Sequence, residues 1–207
     1  MKSFLIRPAL ALALAAGLAG CGGGSDKAEF TVSGTVSNLV YNGLKLTNNG
    51  GDEITVSPPA KAGDAVSYSF PGKIEYGDVY NVIVSKQPEH QTCQLNTSYP
   101  VNSDTAGRLA QINIPYICSI NTATIGGKIS GLTVAGLVLA NGSTGGTVAP
   151  AKDATSYVFS LPVEYNQTYG VTVLTQPTGL TCTVANQTGT MGDEKKENID
   201  VTCVPNA

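Results

Sequence analysis

Apolar and polar residues alternate with a period of two along most of the chain beyond residue 30. In Thr31 to Ser37, Val32 and Val36 share one face. In Tyr80 to Val84, Tyr80, Val82 and Val84 share a face, with Val79 and Ile83 opposite, and Tyr169, Val171 and Val173 repeat the arrangement. Such alternation marks half-buried strands, and no 3.6-residue stripe of useful length competes with it. Asn48-Asn49-Gly50-Gly51 and Asn141-Gly142-Ser143 stand between strand-like runs, where Asn and Gly supply the positive φ of a tight hairpin. The pattern predicts seven strands near 30–37, 43–47, 53–57, 66–70, 78–85, 91–95 and 111–118, and seven more near 124–130, 136–140, 146–149, 155–160, 168–174, 180–184 and 197–203. Strands this short at this spacing suggest a β-sandwich in each half.

The two halves are copies. Tyr80 to Cys93 reads YNVIVSKQPEHQTC, and Tyr169 to Cys182, at an offset of 89, reads YGVTVLTQPTGLTC. A Tyr, an alternating apolar run, a Gln-Pro and a Cys recur in strict register, which marks an internal duplication. Thr31-Val32-Ser33-Gly34 matches Thr124-Ile125-Gly126-Gly127 at an offset of 93, and the final cysteines match at 85. The first copy therefore carries about four extra residues in each of two places, both between strand-like runs, where surface loops absorb insertions. The boundaries expected from this are 30–118 for the first unit, 119–123 for a linker and 124–207 for the second.

The combination SGTVSNL, GLKLTNNGGDEITV and YNVIVSKQP…C, with GLVLANGSTGGTV and YGVTVLTQPTGLTCTV in the second copy, resembles a tandem Ig-like repeat of bacterial cell-surface proteins and lipoproteins. The resemblance covers nearly all of the chain after residue 30 and implies two tandem Ig-like sandwiches that serve as spacers or display modules. It departs from the antibody type: there is no Trp, and each Cys pair sits late in its copy.

Residues 1–20, MKSFLIRPALALALAAGLAG, read as a secretory signal, with Lys2 and Arg7 in a positive n-region and Ala9 to Leu18 as a short apolar run. It ends in Leu18-Ala19-Gly20-Cys21, which resembles a bacterial lipobox. The resemblance implies cleavage before Cys21 and lipidation of its thiol, with residues 21–29 as a Gly-rich tether. Two or three acyl chains anchor a protein stably where one is marginal. Gly22 stands where an inner-membrane retention signal carries Asp, which by the same resemblance favours the outer membrane of a bacterial cell envelope.

Lipidation of Cys21 also resolves the odd count of five cysteines, leaving Cys93, Cys118, Cys182 and Cys203, one pair per copy. Export to an oxidising compartment then predicts Cys93–Cys118 and Cys182–Cys203 disulfides. Each closes a loop of roughly 20–25 residues, worth about 3 kcal/mol by chain entropy. Net charge is −3, and it falls near −5 once Lys2 and Arg7 are removed. No Lys/Arg cluster offers a nucleic-acid footprint. Charged residues are 13% of the chain, a low share that suits short strands and tight turns.

Candidate chemistry is sparse. The single histidine, His90, follows Gln87-Pro88-Glu89 and reads as a surface-loop residue. No GxSxG elbow is present, and Gly127-Lys128-Ile129 lacks the Ser or Thr of a phosphate loop. Asp52-Glu53 and Asp193-Glu194 read as solvated turns, and neither fits an EF-hand. No catalytic residue, metal site or cofactor is expected. The long segments 96–110, with Tyr99 and Arg108, and 185–198 are the candidate binding loops, and Tyr41, Tyr76 and Tyr165 are further candidate exposed rings. The expected role is a non-catalytic structural, spacer or display lipoprotein. The alternatives are a binding or adhesion module for a glycan or protein, and an accessory subunit of an envelope complex.

Overall fold

The structure, a computed structural model, describes residues 27–98 and 101–207, and every regular element among them is a strand. The expected signal segment 1–20, Cys21 with the expected tether to residue 26, and Tyr99 lie outside the described residues. The first copy forms β1 (Glu29–Ser37), β2 (Leu44–Asn48), β3 (Asp52–Val56), β4 (Val66–Glu75), β5 (Val79–Lys86), β6 (Gln91–Leu95), β7 (Ser103–Thr105), β8 (Ile112–Asn113) and β9 (Tyr116–Ile120). The second forms β10 (Thr122–Ala123), β11 (Gly126–Ser130), β12 (Val138–Asn141), β13 (Thr147–Val148), β14 (Ser156–Val158), β15 (Val163–Glu164), β16 (Thr168–Thr175), β17 (Leu180–Val184), β18 (Thr188–Thr190) and β19 (Val201–Pro205).

Each copy is a sandwich of two sheets. In the first, β4-β1-β9-β6 faces β3-β2-β5-β7; in the second, β14-β11-β19-β17 faces β13-β12-β16-β18. The inward sets found by alternation fill two separate cores. Val32, Leu44, Leu46, Phe70, Tyr80 and Val82 line one, and Ile125, Leu137, Leu139, Phe159, Tyr169 and Val171 line the other. Burying each such side chain contributes roughly 1.5–3 kcal/mol. Cys93 lies directly opposite Cys118 on β6 and β9, and Cys182 opposite Cys203 on β17 and β19; both pairs are bonded and buried.

Each half holds more strands than the seven expected. The candidate loops 96–110 and 185–198 contain β7 and β18, which pair with β5 and β16. These strands are three residues long and polar, so they show no alternation; backbone pairing with β5 and β16 sets their place. The expected strand 111–118 is interrupted between β8 and β9 at Ile114-Pro115, because a proline brings no N–H to a ladder. The counterpart of β4 is split into β14 and β15 across residues 159–162, where Pro162 stands in place of Lys73.

The interruption before β9 is exploited. Ile114 is buried and its carbonyl faces Gly34, where a Cβ would collide with that oxygen. The Tyr68 hydroxyl reaches into this gap and donates to the Ile114 carbonyl at 2.7 Å. The second copy repeats the device: Tyr157 donates to the Ile199 carbonyl at 2.7 Å beside Gly127. A carbonyl that the irregular strand would leave orphaned in the core thus finds its donor in a tyrosine.

Tyr68→Phe should leave that carbonyl unsatisfied and cost about 1–3 kcal/mol, read as a lower denaturant midpoint. Burial also pushes the Tyr68 and Tyr157 phenols well above their ordinary range and Tyr116 up to about 12. The folded state therefore favours the protonated phenols. That stability is complete below the unfolded tyrosine value of about 10 and is lost as pH rises from there toward the folded values. Tyrosinate absorbance for these rings should appear only together with cooperative unfolding above about pH 10.

Candidate functional site

Only Asn121 separates β9 of the first unit from β10 of the second. The expected linker 119–123 is otherwise strand: residues 119 and 120 close β9, and Thr122 and Ala123 pair with Glu164 and Val163. Asn121 works for both sides. Its N–H donates to the His90 carbonyl at 2.9 Å, and its carbonyl accepts from the Tyr165 N–H at 2.8 Å. Its side-chain oxygen accepts from Thr92 Oγ1 at 3.0 Å, and its Nδ2 donates to Asp193 at 3.4 Å.

Side chains of both units close around this point. The His90 ring stacks on Tyr165 with centroids 3.7 Å apart and planes 5° from parallel. Tyr41 stands edge-on to both rings, at 5.2 Å from His90 and 5.7 Å from Tyr165. Nδ1 of His90 lies 2.6 Å from Asp193 Oδ2. His90, expected on an open loop, is thus a contact residue between the units; Tyr41 and Tyr165, expected as open rings, are half-buried, and Asp193, in an exposed bend as expected, also bonds to His90 and Asn121. These positions read as exposed because a joint between two copies leaves no periodic trace in either one.

Two neighbouring residues hold this geometry. Gln91 is buried at 2% exposure; its Oε1 accepts from Val40 and Tyr41 N–H groups at 2.7 and 2.9 Å, and its Nε2 donates to the Asn38 carbonyl at 2.8 Å. It fixes the loop that presents Tyr41. His90 has a positive φ of 56°, a conformation its counterpart Gly179 adopts at 76°. A non-glycine residue there carries strain of order 1 kcal/mol, and such residues persist where something else holds them. The contacts to Tyr165 and Asp193 do so. The alignment of His90 with Gly179 was the available signal: a glycine in the twin marks a special backbone position.

The repeated Gln-Pro…Cys motif has a local function. Gln87 Nε2 donates to the Cys93 carbonyl at 3.0 Å and its Oε1 accepts from the Cys93 N–H at 2.7 Å. Gln176 treats Cys182 identically, at 3.0 and 2.7 Å. β6 and β17 are edge strands, so one amide side chain stands in for a rung of a missing neighbour.

The remaining candidates fall elsewhere. Arg108 is well exposed and pairs with Asp104 at 3.0 Å four residues away. The Thr105 amide, and then the Arg108 guanidinium, hold the Asp104 carboxyl below its usual range. Tyr99 and Cys21, the other proposed site residues, lie outside the described residues. A cleft of about 570 Å³ lies in the second unit between the β12–β13 turn and Leu161 to Gln167, and Glu164 is its one carboxylate. A smaller cleft of about 280 Å³ occupies the equivalent place in the first unit, beside Asn49, Asp52 and Lys73. Among the described residues no group of His, Cys, Asp or Glu is arranged to hold a metal ion.

Gln87→Ala should free the Cys93 N–H and carbonyl and lower stability by about 1–2 kcal/mol. Hydrogen exchange at Cys93 should accelerate while exchange at Cys182 stays unchanged, and Gln176→Ala should give the converse.

No family model and no curated protein matches this chain. Among solved structures, the chain is similar to the shaft pilin SpaA of Lactobacillus rhamnosus GG, at 10% identity and a TM-score of 0.31 over 87% of this chain and 99% of that one. It is also similar to the pilus adhesin SpaC of the same organism, at 10% identity and a TM-score of 0.31 over 78% of this chain and 28% of that one. The major pilin T-13 of Streptococcus pyogenes matches at 11% identity and a TM-score of 0.29, over 86% of this chain and 97% of that one. Likeness of this order says nothing about what the chain does.

Proposed function

We propose that the chain is a non-catalytic lipoprotein of the bacterial envelope whose two sandwiches act as one rigid spacer or display module. The observation that carries the reading is the joint. A spacer on a flexible linker gains reach but loses direction; a one-residue connection packed by His90, Tyr165 and Asp193 preserves direction. The aromatic and charged groups drawn together most tightly are spent on holding the units to each other. Anchoring is supported by the Cys21 lipobox and the short Gly-rich segment after it, with Gly22 favouring the outer membrane. The partner suited to such a module is the membrane itself, with a glycan or envelope protein bound at its loops as the second reading. The 570 Å³ cleft of the second unit is the place that second reading would use.

Spin labels on non-natural side chains at Thr55 and Lys152, one per unit, should give a single narrow distance distribution. His90→Gly suits the local backbone but deletes the stack and the Asp193 contact, so it should broaden that distribution and leave both disulfides formed. A broad distribution in the unaltered protein would remove the rigid-spacer reading. Incorporation of [³H]palmitate, lost in Cys21→Ser, tests the anchor separately. A glycan array and a cross-linked pull-down from membranes test the binding reading.

A further inference from the structure

Tyr76 and Tyr165 hold the same position in the two copies, 89 residues apart, and their surroundings are opposite. Each stands where the chain enters its unit. The Tyr165 N–H donates to the carbonyl of Asn121, and the Tyr76 N–H donates to the carbonyl of Ala28, both at 2.8 Å. The strand pairings beside them also correspond: Thr122 with Glu164 in one copy, Glu29 with Glu75 in the other. The Tyr165 ring is covered by His90 and Tyr41 of the preceding unit. The Tyr76 ring is 61% exposed and rests against Gly107, where any Cβ would strike it.

Tyr76 is not alone. Gly77 N–H donates to the Ala106 carbonyl at 3.1 Å, and Ala106 N–H to the Asp78 carbonyl at 2.7 Å. These bonds tie the turn after β4 to the loop after β7, which places Val79 and Leu109, 57% and 44% exposed, at the same end. Lys27 and Arg108 also belong to this end. In the second copy Thr168 replaces Val79, and the run Asp193-Glu194-Lys195-Lys196 occupies the region of Leu109. The apolar group is therefore peculiar to the first copy.

What stands in front of that copy is the tether. Cys21 precedes Ala28 by seven residues. Even fully extended, a segment of that length spans at most about 25 Å. Acyl chains on Cys21 would hold this end of the first unit against the bilayer surface. We propose that Tyr76, Val79 and Leu109 form a collar seated in the headgroup region of the bilayer, which takes the place that a preceding unit takes at Tyr165. The proposal rests on the lipid-anchor reading. Its chemistry suits that region: a tyrosine presents an apolar ring and a polar tip, and such rings concentrate at membrane interfaces. Three of the nearby carboxylates are paired, Glu75 with Lys27 at 2.8 Å, Glu29 with Lys73 at 2.9 Å and Asp104 with Arg108 at 3.0 Å, while Asp78 accepts from the Glu75 N–H at 2.9 Å and keeps its charge. With one net negative charge at this end, seating depends on apolar contact and not on attraction to anionic lipid. The contact can be weak and still be occupied, because the anchor makes it intramolecular.

The chain has no tryptophan, so Tyr76→Trp creates a sole reporter at the collar and Leu174→Trp, 63% exposed at the far end of β16, a sole reporter away from it. The full acylated chain is placed in vesicles of phosphatidylethanolamine and phosphatidylglycerol with brominated acyl chains. Emission from Tyr76→Trp should fall at least twofold, and emission from Leu174→Trp should not change. Adding Val79→Ser and Leu109→Ser should abolish the quenching with both disulfides intact. Equal emission from both reporters would overturn the collar. So would a blue shift of Tyr76→Trp that grows with protein concentration in the absence of vesicles, which would assign the collar to a second copy. Failure of palmitate labelling would remove the anchor reading alone. In that case the unacylated chain mixed with the same vesicles decides: quenching keeps the collar, and none removes it.

Discussion

A connection of one residue keeps the two sandwiches close together, and the chemistry of their facing ends follows from that constraint. Asn121 is at once the residue after β9 and the residue before β10, and its backbone is bonded to a loop of each unit. Ends so close must pack against each other. Here they are filled by three rings and a carboxylate, and the ring of His90 is held in a backbone conformation that its twin leaves to glycine. Gln91 completes the arrangement from inside the first unit, replacing a core leucine of the second, Leu180, with an amide that organises the loop of Tyr41.

The two copies agree where their surroundings agree. The tyrosine that reaches a core carbonyl, the amide clamp on the buried cysteine and the cross-strand disulfide recur with hydrogen-bond lengths that match within a tenth of an ångström. They differ at their ends: Tyr41 against Val134, His90 against Gly179, Val79 against Thr168. Interior positions answer to packing inside one unit, which duplication preserves. End positions answer to a neighbour, and each copy has a different neighbour.

This division also explains what could be read from the residues alone. The cores were legible because inward side chains alternate over five residues or more, as in β1 and β5 with Val32, Val36, Tyr80 and Val82. The two-sheet sandwich follows from that alternation, and the two cross-strand disulfides from one cysteine pair in each copy. β7 and β18 were not legible: Ser103–Thr105 and Thr188–Thr190 have no apolar face, and their place is set by partners far along the chain. The roles of Gln87 and Gln176 escaped for another reason. The motif was visible, but a hydrogen bond from a side chain to a backbone six residues away leaves a spacing and no chemistry to read. His90 was misread because a lone residue carries no period, although its twin glycine pointed to the unusual backbone.

The glutamine clamp has a consequence for how copies of this chain meet one another. An open sheet margin, with a row of unanswered amide and carbonyl groups, then becomes a seed for fibrous growth. By turning its own side chain against the margin of β6 and of β17, each copy keeps that row from being copied by a neighbour, and it does so with a residue already beside the strand rather than with a cap borrowed from elsewhere in the fold.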